Sequence, residues 1–302
     1  MKYKEHNLTN CYAFGTVLLW ASAFVFTKVA LEAFSAPVVG ALRYIVASIF
    51  YLVILLVKRI GLPDKKDIPM FLLSGALGFS FYMILFNEAS SYLSSATGSI
   101  IIATAPIITA LLANMVFRER LSIVAWSVIV VEFCGILVLT LWDGILSVNK
   151  GIFWMLGAAF CISSYNLIQR KFTRKYSALQ STAYSILAGT LLLLLYLPSS
   201  ISQLATAPLK YWIVAIYMGI FPSAVAYLLW SKALSIAENT SQVTNFMFIT
   251  PLLATIMGFL VRKEIPGAGT IVGGVIIIGG LLVFQRVKSG NHKRQKDRVK
   301  KG

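Results

Sequence analysis

Of the ionisable residues inside or beside long apolar runs, three are candidates for chemistry within the membrane. Glu132 lies within the run from 122 to 141; Lys28 and Arg43 lie towards the outer ends of two earlier runs, close in sequence to Glu32. An ionisable side chain near mid-bilayer costs about 2.5–3.5 kcal/mol on insertion scales, so its presence points to function. Burial disfavours the charged form of a carboxyl group, which makes Glu132 a candidate to carry a coupling proton. A protonated glutamate hydrogen-bonded to a neighbouring helix is the structural alternative. Lys28 and Arg43 also have two readings: a long basic side chain near a span end reaches the interface, or it meets a substrate carboxylate.

The other candidates do binding chemistry. Trp20, Phe24, Tyr44, Tyr82, Phe86, Tyr165, Tyr227, Trp230 and Phe246 recur along the apolar runs, with Ser22, Thr104, Asn166 and Asn245 adding hydroxyl and amide groups. Aromatic walls with a few polar groups suit a small ligand that has an apolar part. Each ring alone fits helix packing or lipid contact equally well. The two histidines, His6 and His292, lie in polar tails, so the apolar body has no imidazole for a metal site or a general base. Neither HExxH nor GxSxG occurs. Cys11, Cys134 and Cys161 are odd in number and lie at the edge of or within apolar runs, which reads as packing rather than a disulfide framework. No metal, no cofactor and no enzymatic activity is expected.

Elements that position these residues follow from composition and periodicity. Hydrophobic residues make up 58% of the 302 and charged residues 13%, with a mean hydropathy of +0.80. Lipid must be the solvent for most of such a chain. A net charge of +16 would suit nucleic acid in a soluble protein, but the lysines and arginines fall between apolar runs, where they orient spans, so no nucleic-acid partner is expected. Ten runs reach the roughly 20 residues that a crossing needs: near 11–30, 37–57, 68–88, 95–116, 122–141, 151–170, 178–197, 211–231, 242–261 and 267–286. Ala21-Ser22-Ala23 has the form of a signal-peptide cleavage site, yet the apolar run continues through Phe26, which keeps the segment as a span.

Within this pattern one stretch occurs twice. Gly75, Ala89, Pro106, Glu119 and Gly135 recur as Gly219, Ala233, Pro251, Glu264 and Gly280, with equal spacings except for one residue before the prolines. Pro106 and Pro251 lie about halfway along their runs, where a missing amide donor loosens the helix. Paired interruptions of this kind mark the binding site of a transporter. With a cytoplasmic N-terminus, the inner loops and tails carry 21 lysines and arginines against four in the outer loops, which places both ends in the cytoplasm. Five spans per half is an odd number, so the second half enters from the opposite side.

These residues resemble the drug/metabolite transporter superfamily, in particular its EamA-type ten-span exporters. The likeness rests on Trp20-Ala21-Ser22-Ala23-Phe24 with Lys28, Leu42-Arg43-Tyr44, Ala105-Pro106 through Arg118-Glu119-Arg120-Leu121-Ser122 with Trp126, Ala226-Tyr227, Ala233-Leu234, and Pro251 through Lys263-Glu264. It departs at Ile162, where an aromatic often stands, at Ile265-Pro266, and at Glu132, where the second half has Ile277. The resemblance implies an all-α integral membrane protein of ten transmembrane helices in two inverted five-helix repeats. Its parts would be a short cytoplasmic N-terminus (1–10), the repeats 11–146 and 147–287, and a basic cytoplasmic tail (288–302). It further implies a carrier in the cell membrane that exports a small organic metabolite, an amino acid or related compound, with broad drug efflux as the alternative. The cavity is expected between spans one to four and six to nine. Gly269 and Gly273 form a small-residue face that joins the halves or two protomers, so a monomer or weak homodimer is expected. If Glu132 carries the coupling proton, Glu132→Gln abolishes proton-driven uptake into vesicles; an unchanged rate assigns it a structural role.

Overall fold

Hydrocarbon offers a backbone no hydrogen bonds, which leaves helices and closed barrels as the only spanning structures. The computed structural model describes residues 2–117, 149–172, 175–198, 201–236, 245–280 and 282–283, with positions 123, 126–127, 130–131, 134–135, 138 and 142 between them. Among the described residues every regular element is helical. The span expected near 122–141 lies mostly outside the described residues, as do Glu132, Glu119 and the tail 288–302.

Among the described residues six helical stretches are long and apolar enough to cross a membrane: Leu8–Ala30, Ala36–Val57, Lys65–Tyr92, Lys150–Gln169, Ala178–Tyr196 and Leu209–Ala233. Three shorter apolar helices, Ser95–Thr109, Thr250–Arg262 and Ala268–Gly280, accompany them. In chain order the elements are α1 (Lys2–Ala30), α2 (Ala36–Val57), α3 (Ile68–Gly75), α4 (Tyr82–Tyr92), α5 (Ser95–Ile102) and α6 (Ala105–Phe117). There follow α7 (Lys150–Phe172), α8 (Ala178–Leu193), α9 (Ile201–Thr206), α10 (Leu209–Met218), α11 (Ala226–Ile236), α12 (Thr250–Arg262) and α13 (Ala268–Gly280).

Local sequence explains where several of them begin. Pro37 pre-sets the first turn of α2. Ser94 accepts a hydrogen bond from the Thr97 amide at the start of α5, and Ser177 with Gln180 forms a reciprocal capping box on α8.

Small polar residues pair inside the bundle, and large aliphatic ones cover much of its outside. Ser48 bonds Thr190 at 2.7 Å and Ser74 bonds Ser185 at 2.8 Å in its interior. Ile49, Val53, Leu56, Leu191, Ile213 and Leu260 are exposed on its outside, as lipid contact requires.

Among the described residues two crossings contain a π-helical segment. Between α3 and α4 the residues Ala76–Phe81 form a π-helical segment, and between α10 and α11 Gly219–Val225 form another. The two fall at matched positions of the repeat, each beginning at or just after the matched glycine, Gly75 or Gly219. A π turn leaves one carbonyl group without its usual partner and commonly marks a functional position. Here side chains and close backbone contacts support both segments. Ser80 donates to the Gly189 carbonyl at 2.8 Å, and Tyr51 donates to the Ala224 carbonyl at 3.0 Å.

Packing around the segments has no room for a side chain at the matched glycines. A Cβ on Gly75 would lie 2.4 Å from the Gly189 amide of α8, and one on Gly219 would lie 2.7 Å from the Arg43 carbonyl of α2. Backbone cannot yield at those distances as a flexible side chain would. Gly75→Ala and Gly219→Ala should therefore each lower the yield of folded protein and its Tm, with a penalty of roughly 1–3 kcal/mol typical of overpacking. Gly61→Ala, with nothing within 4 Å of the added carbon, should match wild type in the same fluorescence-detected chromatography and melting assays.

Candidate functional site

The centre of the bundle is built of aromatic rings, and Phe79 of the first π-helical segment is its hub. Its ring lies 5.2 Å from Tyr44 of α2, 5.0 Å from Tyr165 of α7 and 5.6 Å from Tyr227 of α11, by centroids. Trp20 of α1 continues the chain of contacts to Tyr227 at 5.5 Å and to Trp230 at 5.0 Å. Phe24 meets Phe86 of α4 at 5.1 Å, and Phe86 meets Tyr82 at 5.7 Å. Most contacts are edge-on or tilted, the arrangement that ring quadrupoles favour. Gly78 lies directly under the Tyr165 ring, where a Cβ would come within 2.3 Å of it.

Most of the sequence candidates thus come together, and a few do not. Phe246 packs apart with Ala13, Ala233 and Trp230. Asn166 is exposed on α7. Asn245 opens a 3-10 segment, Asn245–Ile249, directly before Pro251 at the start of α12. Pro106 is the second residue of α6, preceded by a turn at Ala103 and Thr104 that separates α5 from α6. Both proline-bearing crossings are therefore interrupted just ahead of the proline. Glu132 lies outside the described residues. Gly269 of the small-residue face lies against Trp142 of the same chain.

Arg43 departs from the interface-seeking reading. It sits two turns into α2, 3% exposed, with its guanidinium in the interior. Nε donates to Ser223 Oγ of the second π-helical segment, Nη1 lies 3.7 Å from Met83 Sδ, and Cζ is 5.9 Å from the Tyr44 ring centroid. Ser223 stands at the repeat position that Phe79 occupies in the first half. One π-helical segment thus supplies the aromatic hub and the other the hydroxyl that holds the arginine. Neither residue stood out in the sequence; the signal was the matched Gly75 and Gly219 beside them.

Lys28 meets a partner at the bundle end where α1 terminates. Its Nζ lies 2.7 Å from Glu264 Oε1, and the other carboxylate oxygen accepts a 2.8 Å hydrogen bond from the Ser95 amide at the start of α5. Arg262 approaches Glu264 at 3.4 Å and pairs with Glu32 at 2.7 Å, and Glu32 also accepts a bond from Tyr211 at 3.2 Å. Glu264 reaches this place because Lys263 takes a left-handed conformation, φ 57°, which reverses the chain after α12. One carboxylate so ties α1, α5 and α12 together. At the opposite end Lys175 contacts Asp64 and Asp67, and Tyr176 donates to Asp67 at 2.6 Å.

Fold and centre together define an all-helical membrane protein whose aromatic core is shared by two matched stretches of one chain. Comparison with known proteins identifies those stretches: residues 7–141 and 149–285 each match the EamA-like transporter family, and the chain belongs to that family. It is 30% identical over 264 residues to the uncharacterized transporter YdfC of Bacillus subtilis, covering 87% of this chain and 86% of that one. To a probable terminal-alkyne amino-acid exporter of Streptantibioticus cattleyicolor it is 29% identical over 281 residues, covering 92% and 93%. A crystal structure with 18% sequence identity shares the fold at a TM-score of 0.62 over 92% of this chain and 97% of the other.

Burial pushes the Glu264 carboxyl up, but the Lys28 ammonium and the Ser95 amide outweigh it, and its pKa ends below the ordinary 4.5. A lowered carboxylate contributes stability above its unfolded value and loses it as pH falls through the folded value. Glu264→Gln should accordingly lower Tm at neutral pH by roughly 1–4 °C, the scale of a partly exposed ion pair. The gap from wild type should close as pH drops below 4.5; a gap that persists in acid would assign the effect to packing.

Proposed function

We propose that this transporter is a carrier of ten spans in two inverted halves, which exports a small organic metabolite, an amino acid or related compound, by alternating access. One observation carries the reading: the aromatic centre is assembled across the two family-matched stretches, Tyr44 and Phe79 from the first against Tyr165 and Tyr227 from the second. A site shared by two halves opens to one side or the other when the halves rock about it, whereas a site within one half would move as a rigid body. The π-helical segments and the interruptions before Pro106 and Pro251 flank that centre and supply the places where helices can bend.

The ends of the bundle fit a gated cycle. Glu264 holds α1, α5 and α12 at the end bearing Lys28, so exposure of the centre to that side requires the carboxylate to release Lys28 and the Ser95 amide. Positive-inside charge counts put this end outside the cell and both termini in the cytoplasm. The export direction is supported by the Streptantibioticus relative, named as a probable amino-acid exporter. The walls, mainly rings with few fixed polar groups, favour solutes with an apolar portion.

Counterflow in proteoliposomes tests this. Vesicles preloaded with an unlabelled mixture of amino acids should accumulate tracer from that mixture saturably. Tyr82→Ala and Tyr227→Ala should each slow the exchange about tenfold, the scale of roughly 1–1.5 kcal/mol for one lost aromatic contact, at unchanged expression. Exchange of cationic drugs without exchange of amino acids would favour broad efflux, and linear, non-saturable flux would rule out a carrier.

A further inference from the structure

Arg43 is a buried cation whose described contacts are a hydroxyl, a thioether and a ring. Among the described residues its guanidinium has no carboxylate partner; the ion pairs there involve Lys28, Lys175 and Arg262. A guanidinium cannot lose its proton in a protein, and an uncompensated charge in a membrane interior is expensive. The guanidinium therefore has donor capacity that Ser223 and Met83 do not use up, since one Nε–H goes to Ser223 and a weak sulfur contact meets Nη1.

A second observation points the same way. The Tyr44 hydroxyl is fully buried and has no well-formed hydrogen bond among the described residues, although the Tyr227 hydroxyl lies near it. Arg43 lies over the Tyr44 ring, and Tyr44 and Tyr227 both pack against Phe79. One fixed cation and the buried Tyr44 hydroxyl thus lie together at the aromatic centre. Such a donor set accepts an anion. With a single guanidinium there, one negative charge is balanced, and the fork of N–H groups matches the two oxygens of a carboxylate. The surrounding rings accommodate an apolar body.

We infer that Arg43, with the Tyr44 hydroxyl, is the receptor for the carboxylate of the transported solute, and that the carrier takes monocarboxylates with an apolar portion. The assignment rests on the reading of the aromatic centre as the solute site. Ser223 and Met83 position the guanidinium, and the ligand carboxylate supplies the full opposite charge that they lack.

The test is binding to the full-length protein in nanodiscs, measured by calorimetry with two matched pairs of probes: L-leucine against L-leucinamide, and 4-methylvalerate against 4-methylvaleramide. Wild type should favour each carboxylate over its amide by about tenfold or more, as expected for charge-assisted hydrogen bonds. Arg43→Gln should remove that preference, and Arg43→Lys should keep part of it, because a point charge remains without the fork. Tyr44→Phe, which removes only a hydroxyl, should reduce the preference while the protein stays folded, so the assignment is testable even if Arg43→Gln misfolds. Equal binding of acid and amide by wild type, or an unchanged preference in Tyr44→Phe and Arg43→Gln, would overturn it and leave Arg43 as a tether to Ser223. If no probe binds while other solutes still undergo saturable counterflow, the carboxylate assignment falls and the carrier reading stands; if nothing exchanges at all, both fall.

Discussion

A backbone amide in hydrocarbon must find its partner inside the protein, and this requirement decides where the chain is allowed to be irregular. The two π-helical segments lie where other helices cover them. Ala76–Phe81 rests against α8 through the Gly75 and Gly189 contact and the Ser80 bond; Gly219–Val225 rests against α2 through Gly219, Tyr51 and the Arg43 to Ser223 link. Pro222 lies in the second of these segments, where its missing N–H removes a donor that a regular helix would need. The two π-helical segments thus lie where glycines bring helices into backbone contact, and Phe79 of the first reaches the aromatic centre from there.

Cations in this chain are sorted by what can compensate them. At the ends, water and acidic residues are available, and Lys28, Arg262 and Lys175 take glutamate or aspartate partners. Such pairs stabilise little individually. Their effect is geometric: Glu264 addresses three helices at once, so it restrains relative motion at one end more than its energy would indicate. Arg43 belongs to another regime, because its surroundings are rings, a thioether and hydroxyl groups. The repeat shows where this asymmetry arises. Phe79 and Ser223 occupy corresponding positions, and their different side chains make one π-helical segment apolar and the other polar.

Composition, the spacing of apolar runs and the doubled Gly-to-Glu pattern were enough to read an all-helical membrane transporter of this family, because lipid imposes span length and helical hydrogen bonding on any sequence that crosses it. Trp20, Phe24, Tyr44, Tyr82, Phe86, Tyr165 and Tyr227 were legible as candidates since aromatic residues in such runs stand out. Their mutual contacts were not legible, nor was Phe79 as their hub, because periodicity gives the face of one helix and not the neighbour it meets. Asn166 shows the limit: its amide looked like a cavity group and proves to lie on the exposed side of α7. The π-helical segments escaped notice for a related reason. A one-residue change of pitch has no signature in hydropathy, and only the matched glycines hinted at it. Near the start of α2, Arg43 could be read as interface-seeking because sequence distance from a span end does not measure depth in a bundle. What the amino-acid order determined was a helical, lipid-embedded chain in which one family pattern occurs twice, because bilayer thickness and backbone hydrogen bonding constrain any sequence that crosses. Tertiary structure alone decided which rings face one another and that a guanidinium lies among them, since those depend on how helices rotate and cross when glycines let their backbones touch.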